Sequence, residues 1–319
     1  MMAPVRVPLV LLAAFLSSYG LARGQRSPYI PAATVEGMLT AFPASGTPVS
    51  ILAPGAPVAW AENGRSIFSA GGPRGIEKID LVSGKTSIVE GSGALWGITD
   101  LAVTQNLDRI VTCSRLGDFR RSQWAIVSFS LGEQVIRSFF PHPLNDSRWK
   151  AVTLSPDGTR ALSILTSMVQ PPPDRDHRTE LKLIDLETGA AKSLGFNYLS
   201  AAWSPDGRWI AALRGADGGG SYLVLLDPVH FRVKRFLGSI LDGEINWSPD
   251  SRKLIVTKGL AACGPYFATL FSLDVTTGKA EEIKGSRCIL GAQGAVGWIS
   301  ADVYQAALAR APSKPDPTK

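Results

Sequence analysis

The chain has 319 residues, of which 45% are hydrophobic and 19% are charged, a composition that excludes an intrinsically disordered protein. Its length is sufficient for a substantial apolar core. The formal net charge of +6 is modest for this length, and the basic residues form no clustered stripe, so the sequence does not indicate a nucleic-acid-binding protein.

The N-terminus has the organisation of a secretory signal peptide. Arg6 supplies a positive charge, an apolar run follows from Val7 to Phe15, and small residues at Ala22 and Gly24 stand where a signal peptidase cleaves. The alternative is an uncleaved anchor, although the apolar run is short for a bilayer span. We predict a signal peptide over residues 1–24, a linker over 25–33, and a periplasmic or secreted protein without stable membrane insertion after cleavage.

A turn motif recurs through the rest of the chain. Its clearest copies are Ser155–Gly158, Ser204–Gly207 and Ser248–Ser251, which begin with Ser-Pro-Asp and precede apolar runs typical of β-strands. Proline presets φ at the second position of a type I turn, and serine and aspartate flank it favourably. With three weaker copies, the turns follow six anchor residues spaced 43–51 residues apart: Trp60, Val103, Leu154, Trp203, Trp247 and Trp298. Because a four-stranded propeller blade takes about 40–50 residues, the spacing predicts six blades.

A second motif recurs out of phase with the first. Ile79–Lys85, Ile184–Gly189 and Leu273–Lys279 each contain an apolar residue, an aspartate and a glycine turn. We interpret them as the turn between strands C and D of a blade, where strands A to D run outward from the propeller axis.

The two ends of the chain carry complementary halves of one blade. Only one strand, around Val303–Leu308, follows the last anchor, whereas Met38–Phe42 and Val49–Leu52 form a strand–turn–strand unit before the first anchor. We therefore predict an all-β, six-bladed β-propeller over residues 34–309, in which N-terminal strands complete the last blade. In this arrangement 49–52 pairs with 38–42, which pairs with 303–308. We predict that residues 310–319 form a disordered tail.

The Ser-Pro-Asp turns after Leu154, Trp203 and Trp247 resemble the WD-repeat-like propeller modules of the TolB family. The resemblance covers about residues 34–309 and is weaker in the first, second and sixth blades. It implies the propeller fold. TolB carries an extra α/β domain before its propeller, for which this sequence leaves no room, so the resemblance implies function only loosely.

No constellation of residues typical of catalysis is recognisable. The Gly-Lys-Thr sequence that begins at Gly84 lacks the preceding glycine that a phosphate-binding loop requires. The sequence contains no Gly-x-Ser-x-Gly motif of the hydrolase type. The three histidines, His142, His177 and His230, are far apart in the sequence. We interpret the turn aspartates as structural and the repeated tryptophans as packing between blades. We predict no catalytic residue, cofactor or metal site.

The loops between strands B and C vary more in length than the turns, and variable loops on a rigid scaffold often bind ligands. Two of these loops and one D–A crossing combine arginines with aromatic residues, as interface anchors do. We call this end of the propeller the loop face and predict that it binds a protein or peptide. The candidate residues are Arg115, Phe119, Arg120, Arg121, Arg148, Trp149, Arg175, His177 and Arg178.

The three cysteines match no metal motif. Cys263 falls in the B–C loop of the fifth blade and Cys288 in the crossing that leaves the same blade, so both lie on the loop face. We predict a Cys263–Cys288 disulfide and a free, buried Cys113.

Three hypotheses for function stay open. The first is an exported, monomeric binding or scaffold protein that presents its loop face to a protein or peptide in the cell envelope. The second is a propeller enzyme with a small-molecule site in the axial channel. The third is a non-catalytic subunit of an envelope complex. Titratable side chains converging in the channel would favour the enzyme.

Overall fold

The computed structural model describes residues 29–35, 38–44, 48–54, 57–72, 75–116, 123–131, 135–139, 148–168, 177–216, 220–240, 244–259, 261–263, 267–290 and 296–310. The predicted signal peptide lies outside the described residues, as does the predicted tail beyond Arg310. No helix in this part of the chain has the length and apolar character needed to cross a bilayer. The described strands form six antiparallel sheets in a ring, which confirms the six-bladed propeller.

The strands follow one another blade by blade. The chain begins with β1 (Tyr29–Val35), β2 (Met38–Ala41) and β3 (Val49–Leu52), which belong to blade six. Blade one contains β4 (Val58–Ala61), β5 (Ser66–Gly72), β6 (Gly75–Asp80) and β7 (Thr86–Ile88). Blade two contains β8 (Trp96–Val103), β9 (Arg109–Leu116), β10 (Gln123–Ser130) and β11 (Val135–Phe139). Blade three contains β12 (Arg148–Leu154), β13 (Arg160–Met168), β14 (His177–Asp185) and β15 (Ala191–Phe196).

The second half of the ring repeats this order. Blade four contains β16 (Tyr198–Trp203), β17 (Ile210–Gly215), β18 (Ser221–Leu226) and β19 (Val233–Ile240). Blade five contains β20 (Ile245–Trp247), β21 (Lys253–Gly259), β22 (Phe267–Asp274) and β23 (Ala280–Glu282), and the short β24 (Ile289–Leu290) also pairs with β22. Strand β25 (Val296–Ser300) is the inner strand of blade six, and helix α1 (Ala301–Arg310) follows it.

Blade six closes the ring with strands from both ends of the chain. Its order is β25-β1-β2-β3, so Val49–Leu52 pairs with Met38–Ala41 as predicted. The expected pairing of 38–42 with 303–308 is wrong, because β1 stands between β2 and β25. Strand β1 begins at Tyr29, inside the segment 25–33 that the sequence assigned to a linker. The N-terminus therefore supplies three outer strands and not two.

The segment expected to be the last strand is helix α1. Val303 and Ala307 are its buried residues, and their spacing of four places them on one helical face. Alanine-rich sequence favours a helix, and Asp302 in the first turn and Arg310 in the last complement its dipole. The Arg310 guanidinium donates a hydrogen bond to the Leu81 carbonyl of blade one, 2.7 Å away. The helix thus braces the junction between blades six and one.

The apolar core consists of inter-blade layers. Six clusters of buried side chains are present among the described residues, one at each interface between neighbouring blades. Trp203, Trp247 and Trp298 are each buried in a different one of these clusters, and Trp60 packs against another. The Trp247 indole also donates to the Ala202 carbonyl of blade four, 2.9 Å away. The interpretation of the tryptophans as inter-blade packing is confirmed.

The Ser-Pro-Asp turns are held by their own side chains. Ser155 donates its hydroxyl proton to Asp157 (2.5 Å) and accepts the amide of Arg160 (2.9 Å), while Asp157 accepts the amide of Thr159 (3.0 Å). The serine and aspartate of the next two turns have the corresponding contacts. These aspartates therefore shape the turns, as the sequence indicated.

One disulfide is present on the loop face. It joins Cys263 to Cys288 with Cα atoms 5.2 Å apart, and Cys113 is free and buried, which is the arrangement expected from the sequence. By restricting the unfolded chain, a bridge across 25 residues stabilises by roughly 3 kcal/mol.

Deletion of residues 30–52 is expected to lower the melting temperature by about 10 °C or more, because it removes β1–β3 and opens the ring. About 1 kcal/mol corresponds to roughly 2–4 °C for a domain of this size class, and the loss of three buried strands costs several kcal/mol. The measurement is thermal unfolding followed by circular dichroism, with deletion of residues 311–319 as the control. Equal melting of both truncated proteins would show that strand closure contributes little.

Candidate functional site

A central channel runs along the propeller axis. The A strands of all six blades line it and enclose a cavity of about 750 Å³. Most of the lining is apolar or uncharged, as in β4 and β16. Among the described lining residues, two carboxyl groups are the exceptions: Asp100 in β8, and Glu244 immediately before β20.

Asp100 and Glu244 occupy equivalent places in opposite blades. Asp100 stands three residues before the anchor Val103, and Glu244 stands three residues before the anchor Trp247. Blades two and five, which carry them, face one another across a ring of six. The corresponding lining residues of blades one, three and four are Pro57, Ala151 and Ser200. The channel therefore carries one acidic group on each of two facing walls.

Each carboxyl accepts a hydrogen bond from the blade that follows it. The amide of Val152 in blade three donates to Asp100 Oδ2 (2.7 Å), and the amide of Leu101 donates to Oδ1 (2.9 Å). The Glu244 carboxyl accepts the amide of Val296 in blade six. The Glu244 backbone amide donates to the Thr257 hydroxyl (2.8 Å), which holds the start of β20 in place. Both carboxyls are thus fixed to the channel wall.

Burial raises the pKa of both groups toward neutrality. For Asp100, desolvation raises the pKa to about 7 against the opposing effect of the Val152 and Leu101 amides. For Glu244, desolvation is again the main cause, and the charge of Asp100 adds to it, raising the pKa to about 7. The Glu244 side chain is exposed to the channel, but the channel walls surround it, which accounts for its desolvation although the group is accessible. The charge of Asp100 thus acts on Glu244 across the channel.

Cys113 lies behind Asp100 and is not a channel nucleophile. It is the cross-strand partner of Asp100, and its sulfur is 3.8 Å from the Ser163 hydroxyl. Burial, with a further contribution from the Asp100 charge, raises the thiol pKa well above its ordinary value. The thiol therefore stays protonated at physiological pH.

Two kinds of chemistry fit the channel. Among the described lining residues there is no lysine, arginine or histidine, so the ionised carboxyls give this part of the channel a negative charge suited to a cationic group. Alternatively, two carboxyls that titrate near neutrality are suited to general acid and base catalysis. Within the described ranges, no group of three or more His, Cys, Asp or Glu is placed to hold a metal ion.

The structure describes only some of the candidates predicted on the loop face. Phe119, Arg120, Arg121 and Arg175 lie outside the described residues, and for Arg148, His177 and Arg178 only the backbone is described. Arg115 is half-buried, and its guanidinium stacks over the Trp124 ring at 4.8 Å.

Trp149 corrects the prediction of an exposed interface anchor. Its side chain is only 3% exposed and lies in the cluster between blades two and three. Its ring lies on the face of β12 that packs against blade two, although basic residues flank it in the sequence.

The remaining candidates share one end of two neighbouring blades. Leu116 pairs with Gln123 where β9 meets β10, and Met168 pairs with His177 where β13 meets β14, so both B–C connections leave the same end. Arg148 begins β12 at this end as well. Asp100 is the fifth of the eight residues of β8, and Glu244 occupies the equivalent place in blade five, so the carboxyl pair lies near the middle of the channel.

Sequence reasoning missed Asp100 and Glu244. The available signal was an acidic residue three positions before the anchor, within a strand that is otherwise apolar or uncharged. Blades two and five carry this signal.

No protein-family model matches the sequence, and no curated protein matches it. Among solved structures, TolB from Acinetobacter baumannii matches with a TM-score of 0.59 and 16% identity, over 85% of this chain and 66% of that one. A chain of the nidogen/laminin complex matches with a TM-score of 0.56 and 11% identity, over 85% and 98% of the two chains. A putative TolB from Agrobacterium tumefaciens matches with a TM-score of 0.51 and 15% identity, over 85% and 96%.

This chain therefore spans just under two thirds of the Acinetobacter protein, and the low identities restrict the likeness to architecture. The fold is a six-bladed β-propeller similar to the propeller of TolB.

Proposed function

We propose that this chain is an exported binding protein that holds a peptide segment of a protein partner in the cell envelope. The segment lies on the loop face and extends a basic side chain into the axial channel. The observation that carries this proposal is the pair of opposed carboxyls, Asp100 and Glu244, in a cavity of about 750 Å³ whose described lining residues include no basic side chain.

The chemistry of the channel supports a cationic ligand. At a pH above about 7 both carboxyls are ionised, and each is held by a backbone amide of the next blade. A lysine or arginine side chain would relieve their mutual repulsion and exchange its hydration for charge-assisted hydrogen bonds. The location in the envelope rests on the signal-peptide pattern of residues 1–24.

A second candidate function is a propeller enzyme that acts on a small molecule in the channel. Because Asp100 and Glu244 both titrate near neutrality, one is suited to donate a proton while the other accepts one. The two functions differ in outcome: a binding protein releases its ligand unchanged, whereas an enzyme releases a product that mass spectrometry detects.

Protonation of the pair also affects stability. The folded protein holds protons on Asp100 and Glu244 up to about pH 7, whereas an unfolded chain loses them near 3.8 and 4.5. Between these limits the folded state binds more protons than the unfolded state. The contribution of these two groups to the stability of the fold is therefore greatest below about pH 4, and it falls as the pH rises to about 7.

Asp100→Asn is expected to raise the melting temperature at pH 8 by about 2–4 °C, the shift that corresponds to roughly 1 kcal/mol. The reason is that asparagine removes a desolvated charge but keeps an acceptor for the Val152 amide. At pH 4.5 the variant and the wild type should melt together. Glu282→Gln, which alters an exposed carboxyl on β23, is the control. A lower melting temperature for Asp100→Asn at pH 8 would contradict the raised pKa.

The channel proposal is tested with two labelled pentapeptides that differ only in a central arginine or norleucine. By fluorescence anisotropy at pH 8, the arginine peptide should bind at least about tenfold more tightly, a difference of about 1.4 kcal/mol. The double variant Asp100→Asn/Glu244→Gln should lose this preference, and so should the wild type at pH 5, where both carboxyls are neutral. If the double variant still prefers the arginine peptide to the norleucine peptide, the proposal is wrong.

The loop face is tested separately. Replacing Arg120, Arg121, Arg175 and Arg178 with alanine should weaken capture of envelope partners about tenfold or more, because interface arginines often contribute over 1 kcal/mol each. Capture is quantified by mass spectrometry after pull-down from an envelope extract. The matched control replaces the exposed Arg208 and Arg252, which lie on the opposite face beside the Ser-Pro-Asp turns. Equal capture by the two variants would rule out this face.

A further inference from the structure

The outer edge of blade four differs from the other outer edges of the ring. Its strand β19 has eight residues, whereas the outer strands of the other five blades have three to six. Long, unpaired edge strands are usually avoided because they can pair with another chain. In the described part of the chain, no strand pairs with the free side of β19.

Exposed apolar side chains are concentrated on this edge. Val233 is 48% exposed and Phe236 is 60% exposed, and Val229 in the preceding turn is 73% exposed. Val233 pairs with Leu226 and Phe236 with Val224, and both partners belong to the cluster between blades three and four. Because cross-strand partners share a face, Val233 and Phe236 lie on the same side of β19 and form one apolar strip.

The edge is held rigidly from its other side. The Arg235 guanidinium donates to the carbonyls of Val275 and Thr276 in blade five, each 2.7 Å away. Leu237 is buried in the cluster between blades four and five. The Phe236 ring also contacts Tyr222, with centroids 5.8 Å apart. A partner strand would therefore meet a preformed surface and would not need to order it.

The charge around the strip identifies the partner. Arg232 and Lys234 are exposed beside Val233, and Lys192 is exposed on the neighbouring outer strand β15. Asp227 is the nearby carboxylate, and it is already shared by Lys234 (3.7 Å) and His230 (3.3 Å).

We propose that β19 is a docking edge for an extended segment of a partner protein that alternates acidic and apolar residues. The segment adds as a fifth strand to blade four, through main-chain hydrogen bonds to the free side of β19. Its apolar side chains cover Val233 and Phe236, and its carboxylates face Arg232 and Lys234. This edge lies on the circumference of the propeller and is independent of the axial channel.

The probe is a labelled peptide that alternates glutamate and valine around a central phenylalanine, and its counterpart has lysine in place of glutamate. Fluorescence anisotropy should show binding of the acidic peptide and at least about tenfold weaker binding of the basic one. The variant Val233→Ser/Phe236→Ser should weaken binding of the acidic peptide by about tenfold or more, since it removes the apolar contacts without changing the charge. Ile88→Ser, a matched change on the outer strand β7, should leave it unchanged.

Backbone pairing is tested with the acidic peptide N-methylated along one edge, which should not bind. The variant Asp100→Asn/Glu244→Gln should bind the acidic peptide normally, which separates this edge from the channel. Thermal melts establish that each variant is folded.

Three outcomes would overturn the proposal. The first is equal binding of the acidic and basic peptides. The second is absence of peptide binding together with binding to vesicles of equimolar phosphatidylglycerol and phosphatidylcholine, which would assign the strip to an anionic membrane surface. The third is dimerisation that Val233→Ser/Phe236→Ser abolishes, which would assign it to a second copy of this chain.

Discussion

Packing between neighbouring blades is the interaction on which the rest of this structure depends. A single four-stranded sheet exposes apolar side chains on both faces, and each face is covered only by the next blade. The six core clusters lie at the six interfaces, so no blade has an adequate core by itself. The ring therefore requires closure, and β1–β3 provide it by carrying N-terminal sequence onto the last inner strand β25.

Closure of the ring also creates the channel. Six inner strands that surround one axis cannot fill the space between them, and a cavity remains where their side chains converge. In that cavity Asp100 and Glu244 are displaced from bulk water and are stabilised by amides of the following blades. Such groups weaken a fold unless they are hydrogen-bonded, and they give the channel a chemical preference that its apolar lining lacks.

The fold was largely predictable because its main signal is local. Each Ser-Pro-Asp turn satisfies its own backbone groups, so six anchors and their spacing indicated six blades without knowledge of their packing. Strand β1 escaped prediction because Pro31 lacks an amide proton and argues against a strand. Helix α1 was misassigned because a short apolar segment fits either periodicity, and only burial of Val303 and Ala307 distinguishes them.

The candidate site was less accessible to sequence reasoning. Asp100 and Glu244 are separated by more than a hundred residues, and their opposition arises from ring geometry. Trp149 showed the reverse difficulty: its basic neighbours were typical of an interface, while its ring is packed between blades two and three. The loop residues Arg120, Arg121 and Arg175 remain predictions.

The placement of the two carboxyls lowers the symmetry of the channel. A six-bladed ring has an approximate sixfold axis, but acidic groups on blades two and five alone leave an approximate twofold axis. A ligand with a single cationic group would meet two almost equivalent orientations, related by half a turn about that axis. Within the pair, only the extra methylene of Glu244 relative to Asp100 distinguishes these orientations, and it leaves the two charges nearly equivalent. Further discrimination comes from the unequal loops at the rim of the channel, so the rim contributes more than the charges to the direction in which a ligand lies.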